Sequence, residues 1–316
     1  MGCGPRLGPP RVTPAATPAT LPLVHVQADP WRWYVVADMG ALGERVWFLD
    51  TGYAHTTCDD DLVRELGLAT KGRVPVRGEG GRVPATRARL PAYTLGEHGV
   101  EGHTCVVRDL DGTSSIQDTE EVPIAGVIGM DLLRRFRVEV DPGEAQLVLT
   151  DPAGAAPLDA SEGGVVRLKR DHPFGLRITV PVRVDGAALH PILDTGATRT
   201  LLDTRVLARP PDRVQHGVRV RSTGGEAEQT MTLHWYEVAI TLGGHPTPPL
   251  EVAERTRHGD GLLGVDVLSR FRFVLDLGRH RARFEPIDRA RPPSWRRFDR
   301  KRRGEVQEVE PVEALD

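Results

Sequence analysis

The chain has 316 residues, 39% of them hydrophobic and 27% charged, with 41 Lys and Arg against 44 Asp and Glu for a net charge of −3. That apolar share can build a core and excludes a wholly disordered chain. The near balance of charge leaves no global footprint for nucleic acid or an anionic membrane, and no apolar run approaches the ~18 residues of a spanning helix. Gly (34) and Pro (26) together make about one residue in five, which favours many turns and short strands over long helices.

In chain order, residues 1–19 are Pro-, Ala-, Gly- and Thr-rich and are expected to form a disordered arm. The Gly2-Cys3 step before it is similar to the mature start of a bacterial lipoprotein, which would place the protein at the cell envelope or periplasm. The charged and apolar regions of an export signal are missing, so a cytoplasmic location is the other reading. Residues 20–152 are dense in short β-like runs such as LPLVHV, WYVV and RVWFLD, each bounded by Gly, Pro or Asp. Helical periodicity is confined to DLVRELGL (61–68) and two short segments discussed below. Residues 153–162 read as a linker. Residues 163–287 bring a second β-rich stretch with VVRL, LRITVPVRV and PILD. Residues 288–316, a basic block followed by an acidic one, are expected to be a solvated tail. Of the three cysteines, Cys58 and Cys105 can pair or remain buried free thiols, with Cys3 left over.

An internal repeat decides the fold expectation. Phe48-Leu49-Asp50-Thr51-Gly52 recurs 144 residues later as Ile192-Leu193-Asp194-Thr195-Gly196, and Val76-Arg77-Gly78-Glu79-Gly80-Gly81 recurs at the same offset as Val220-Arg221-Ser222-Thr223-Gly224-Gly225. Gly126-Val127-Ile128-Gly129-Met130-Asp131-Leu132-Leu133 recurs 135 residues later as Gly261-Leu262-Leu263-Gly264-Val265-Asp266-Val267-Leu268, and Arg-Phe-Arg follows both copies. The first copy thus holds nine extra residues between its blocks, assigned most simply to the polar loop 109–123. A chance Asp-Thr-Gly is expected in about one such chain in ten, so three matched blocks in one order mean duplication.

In each copy an apolar strand delivers a carboxylate to a tight turn. Desolvation raises a carboxyl pKa, and a second carboxylate alongside raises one of the two further. Two such turns related by a pseudo-two-fold axis would bring Asp50 and Asp194 together, holding one proton between them. The ionised member can take a proton from water while the protonated member donates to a carbonyl oxygen. The Thr hydroxyl of each turn can bond across the axis, and the Gly lets backbone approach where a Cβ would clash.

The duplicated turns and the apolar-apolar-Gly blocks resemble the aspartic peptidases of the retropepsin type, in the bacterial single-chain form that carries both half-sites. The resemblance covers most of residues 20–150 and 163–287. It implies an all-β fold of two pseudo-two-fold-related β-barrel lobes with a cleft between them, and an aspartic endopeptidase acting on an extended peptide or protein. It also implies Asp50 and Asp194 as the catalytic pair, with Thr51, Gly52, Thr195 and Gly196 supporting it. Short helices are implied over 130–136 and 265–271. Flap hairpins are implied at the glycine-rich turns that include Gly80, Gly81, Gly224 and Gly225. A monomer with an intramolecular pair is favoured, with a homodimer as the alternative, and no cofactor or metal is expected. His55, His172 and His190 lack ligand spacing, and Asp109-Leu110-Asp111-Gly112 lacks the glycine position of a calcium loop. One departure stands out: the small residue expected after the Gly is Ala197 in the second copy but Tyr53 in the first. A ring aimed into the cleft or at the other lobe would narrow the site, or mark a catalytically inactive peptide-binding or dimerisation module.

Overall fold

Period-two burial and closely spaced turn residues make this chain a set of short strands. A computed structural model describes residues 9–26, 29–78, 81–110, 124–172, 175–203, 205–207, 209–220, 229–255, 259–287, 296–299 and 305–308. The chain is an all-β protein of two lobes built on one plan. In the first lobe Glu44–Leu49 pairs antiparallel with Asp29–Asp38 and parallel with Gly126–Ile128, which in turn runs antiparallel to Thr57–Asp59. In the second lobe Ile192–Leu193 lies parallel to Gly261–Leu263, itself antiparallel to Leu201–Asp203. Outward from these come Thr104–Arg108 and Leu250–Arg255, each leading into a long hairpin: Lys71–Gly78 with Gly81–Arg89, and Arg213–Val220 with Gln229–Val238. The same strand order in both lobes is the duplication expressed as hydrogen bonding.

A six-stranded sheet joins the lobes. Its centre pairs Arg137–Asp141 of one half antiparallel with Phe271–Asp276 of the other. Arg137 faces Asp276, the repeat counterpart of Asp141, and Glu139 faces its own counterpart Val274. The register is therefore its own image, and the pseudo-two-fold axis passes between Glu139 and Val274. Gln146–Thr150 and then Ala19–Pro22 complete one side of the sheet, and Arg281–Pro286 and then Val165–Arg167 complete the other. Phe136, Phe271, Phe273 and Phe284 are buried beneath it, and the Trp33 ring of the first lobe sits 6.1 Å from Phe273 of the second. This shared apolar floor holds the two halves in one orientation.

Several expectations are corrected here. Part of the arm joins a sheet: Arg11–Thr13 adds to His98–Glu101 as an edge strand, and Ala15 donates its N–H to His98 Nδ1 at 3.0 Å. Low apolar content did not prevent this, because an edge strand is held by main-chain bonds. The linker is tied down by the buried Leu158 and by Arg137 and Arg281, which bond the carbonyls of Ala156 and Leu158. Within the tail, Arg296–Asp299 lies parallel to Val24–His25 and pairs with Glu305–Glu308, so these residues extend a sheet rather than hang in solvent. The helices are shorter than implied, Met130–Leu133 and Val265–Leu268; the longer one is Asp60–Glu65. Cys58 and Cys105 are joined by a disulfide, their Cα atoms 5.7 Å apart.

Candidate active site

Leu49 and Leu193 are buried residues at strand ends, so the next residue in each lobe is set at the axis. The parallel neighbour holds it there: Asp50 N–H donates to Ile128 O at 3.1 Å and Asp194 N–H to Leu263 O at 3.0 Å. The two carboxylates meet. A Cβ placed on Gly52 would lie 2.4 Å from the Asp194 carboxylate, and one on Gly196 would lie 2.2 Å from Asp50 Oδ2. Each glycine is thus the floor under the opposite acid, and any side chain there would force the pair apart. Gly52 N–H donates to Asp50 Oδ1 at 2.8 Å, and Gly196 and Ala197 N–H donate to Asp194 Oδ1 at 2.9 and 3.1 Å.

The threonines interlock across the axis. Thr51 N–H donates to Thr195 Oγ1 and Thr195 N–H to Thr51 Oγ1, both at 3.0 Å. Each hydroxyl in turn donates to the carbonyl before the opposite aspartate, Thr51 to Leu193 O and Thr195 to Leu49 O, both at 2.8 Å. Both threonines are buried, so four bonds without competing water fix the turns against each other.

Burial raises the pKa of Asp50, and the adjacent Asp194 charge raises it further; together they outweigh the Gly52 N–H. Burial also raises Asp194, against the lowering effect of Gly196 N–H, the bond with Asp50, Ala197 N–H and the Arg177 charge. The pair titrates as a unit, holding a proton at pH values where an isolated carboxyl has lost it.

The family model described as Aspartyl protease matches residues 40–132 and 180–267, which together exceed half the chain. Each segment runs from just before an Asp-Thr-Gly turn to the short helix behind it. The chain belongs to the retropepsin-like aspartyl proteases. No curated protein matches it.

Behind each turn this aspartyl protease carries a buried clasp to which sequence reasoning assigned no role. Asp131 Oδ1 accepts from Thr56 N–H and Oγ1–H, both at 2.8 Å, and Thr56 Oγ1 accepts Gly129 N–H at 3.2 Å. In the second lobe Asp266 accepts from Thr200 N–H and Oγ1–H at 2.9 and 2.7 Å, and Thr200 Oγ1 accepts Gly264 N–H at 3.0 Å. The available signal was the repeat itself: Thr56 and Thr200 keep the 144 offset, Asp131 and Asp266 the 135 offset. The lobes differ in what else surrounds the acid. His103 Nε2 and His55 Nδ1 approach Asp131 Oδ2 at 3.5 and 3.7 Å, and Tyr93 OH bonds His103 Nδ1 at 2.7 Å. Burial alone would push Asp131 up, but the neighbouring His103 and His55 and the bond from Thr56 hold it well below the usual carboxylate range. Asp266, with no imidazole beside it among the described residues, is raised by burial.

Tyr53 packs within its own lobe. Its ring lies on the cluster of Tyr34, Phe48, Leu110, Ile124 and Val127, and Arg108 Nη1 donates to its hydroxyl at 3.4 Å. Burial raises its phenol pKa. The first long hairpin closes with Gly78 opposite Gly81; Gly80, Gly224 and Gly225 lie outside the described residues. Asp59, Asp60 and Asp109 bring carboxylate oxygens within 4.8 Å of one another, but Leu110 N–H takes Asp59 Oδ1.

Proposed function

We propose that this aspartyl protease is an endopeptidase that hydrolyses peptide bonds with water activated between Asp50 and Asp194. The observation that carries the reading is the contact of the two carboxylates, each seated on the opposite lobe's glycine. An extended substrate lies in the cleft between the lobes, under the hairpins 71–89 and 213–238. The ionised carboxylate takes a proton from water as its oxygen bonds the scissile carbonyl carbon, and the protonated one gives its proton to the carbonyl oxygen. The newly protonated carboxyl then gives its proton to the amide nitrogen while the other carboxylate takes one from a hydroxyl of the tetrahedral diol, so the C–N bond breaks, amine and acid leave, and the pair again holds one proton. Thr51, Gly52, Thr195 and Gly196 hold the pair. The Tyr53 ring, packed on its own lobe, supports this reading over that of an inactive binding module.

The test is a cleavage profile of a peptide library across pH 3–8, with wild type beside Asp50→Asn and Asp194→Asn. Cleavage confined to the wild type supports the pair. Cleavage that survives either substitution refutes it.

A further inference from the structure

The duplication allows each surface of one half to be compared with its image in the other, and one edge differs. Leu23 N–H donates to Ala145 O at 2.7 Å, and Leu168 N–H donates to His280 O at 2.9 Å, so Leu23 and Leu168 are structural counterparts. The strands that follow them are counterparts too. Val24 pairs with Tyr34 as Lys169 pairs with Thr179, and Tyr34 and Thr179 pair with Phe48 and Ile192 respectively. In the first half the outer edge of this strand is covered, since Arg296–Asp299 lies along it with Val24 opposite Arg296 and His25 opposite Arg297. In the second half Lys169–Arg170 is the end of its sheet, with no strand on its outer side among the described residues. The preceding strand Val165–Arg167 is likewise the end of the shared sheet.

Charge separates the two edges further. Pro22, Val24, His25, Ala145 and Ser269 of the first edge become Arg167, Lys169, Arg170, His280 and, from the facing lobe, Arg134 around the second. Because one half folds without these cations, the fold does not require them in the other. Among the described residues Arg134, Arg167 and Arg170 have no carboxylate partner. The adjacent Asp171 is engaged by Arg177 at 2.6 Å, and Lys169 Nζ lies 3.3 Å from His190 Nε2. Burial and then the charges of Arg170, Arg134 and Arg167 depress the His280 pKa. Two shallow grooves follow this edge. One of about 410 Å³ is lined by Arg167, Lys169, Arg170 and His280; the other, of about 420 Å³, by Val165, Val166, Arg167, Arg279 and Arg281. They meet at Arg167.

We infer that the edge Val165–Arg170 is a docking site for an extended acidic peptide segment of a partner protein, which adds to the sheet as a strand with its carboxylates among Arg134, Arg167, Lys169, Arg170 and His280. Main-chain bonds supply the register, as they do for Arg296–Asp299 on the equivalent edge, and charge selects the partner. The site lies outside the Asp50–Asp194 cleft and does not depend on catalysis.

Fluorescence anisotropy of the full-length protein with a labelled octapeptide of alternating Glu and Val tests it at low salt. Binding is expected, at least tenfold weaker for the double variant Lys169→Glu/Arg170→Glu, whose altered side chains are exposed, and weak for the same peptide N-methylated along one edge. An octapeptide of alternating Lys and Val should not bind. Unchanged affinity in the variant, no binding by wild type, or equal binding of the Lys peptide would overturn the inference. So would full binding of the N-methylated peptide with ready displacement by inorganic tripolyphosphate, which would mean a plain anion site.

Discussion

Asp50 and Asp194 make stability fall as pH rises toward neutrality. Both are raised above the ~3.9 of a free aspartate, chiefly by burial and, for Asp50, next by the Asp194 charge. A raised folded-state pKa contributes stability that is complete below the unfolded value and is lost as pH rises through the folded one. Asp50→Asn removes that loss. The variant should lose turnover by about 10³-fold or more, yet show a higher Tm relative to wild type at pH 7 than at pH 4. A Tm difference that does not grow with pH would contradict the raised pair. Asp131 has the opposite sign. Its depressed pKa gives stability present above ~3.9 and lost as pH falls toward the folded value. Asp131→Asn weakens the charge-assisted bonds from Thr56 and removes the carboxylate that faces His103 and His55, and should cost about 2 kcal/mol at pH 7. Asp266→Asn, which replaces an acid already raised by burial, should cost clearly less in the same urea titrations. Equal costs would mean that the histidines contribute nothing. The Asp-Thr-Gly pattern was legible because identical residues recur in order. His103 was not, because only the sheet brings it to Asp131 from 28 positions away.

The elements around the turns repeat, and their differences locate local reinforcement. Thr57–Asp59 carries the chain out of the first active turn, and Thr104–Arg108 pairs both with it and with the hairpin strand Gly81–Arg89. The Cys58–Cys105 bond therefore ties the base of that hairpin to the strand leaving Asp50. The parallel registers put Leu202 and Val252 in the equivalent places of the second lobe, where plain apolar packing suffices. Closing a chain segment of 47 residues constrains the unfolded state, and removing the bond as Cys58→Ala/Cys105→Ala should cost about 3–4 kcal/mol. Chemical unfolding with and without reductant measures it: wild type should shift on reduction and the double variant should not. Strand identities were readable from apolar runs bounded by Gly, Pro and Asp. The ordered arm and the tail strands were not, since an edge strand takes its stability from a neighbour's backbone and leaves little trace in its own side chains.

At the scale of the whole molecule, the shared six-stranded sheet makes one chain do what would otherwise need two. Its self-matching register between Arg137–Asp141 and Phe271–Asp276 puts the axis through the same line on which the Asp-Thr-Gly turns meet. Specific activity should therefore stay constant on dilution through the nanomolar range, and light scattering should report a monomer. Activity that falls with the square of concentration would mean that the productive pair forms between chains. Leu275→Asp, which buries an unpaired charge at this seam, should abolish activity without touching either aspartate.

The amino-acid order alone determined that two like units exist, that each ends a buried strand in Asp-Thr-Gly, and that the lobes are β-rich. These follow from local rules of burial, turn geometry and repetition, which a linear pattern records. Only the tertiary structure decided where the Tyr53 ring lies, that Cys58 meets Cys105, and that, among the described residues, imidazoles attend one buried carboxylate and not its image and one basic edge carries no further strand while its counterpart is covered. Each depends on which distant segments share a sheet, and hydrogen bonding between backbones carries almost no signature in the residues that make it.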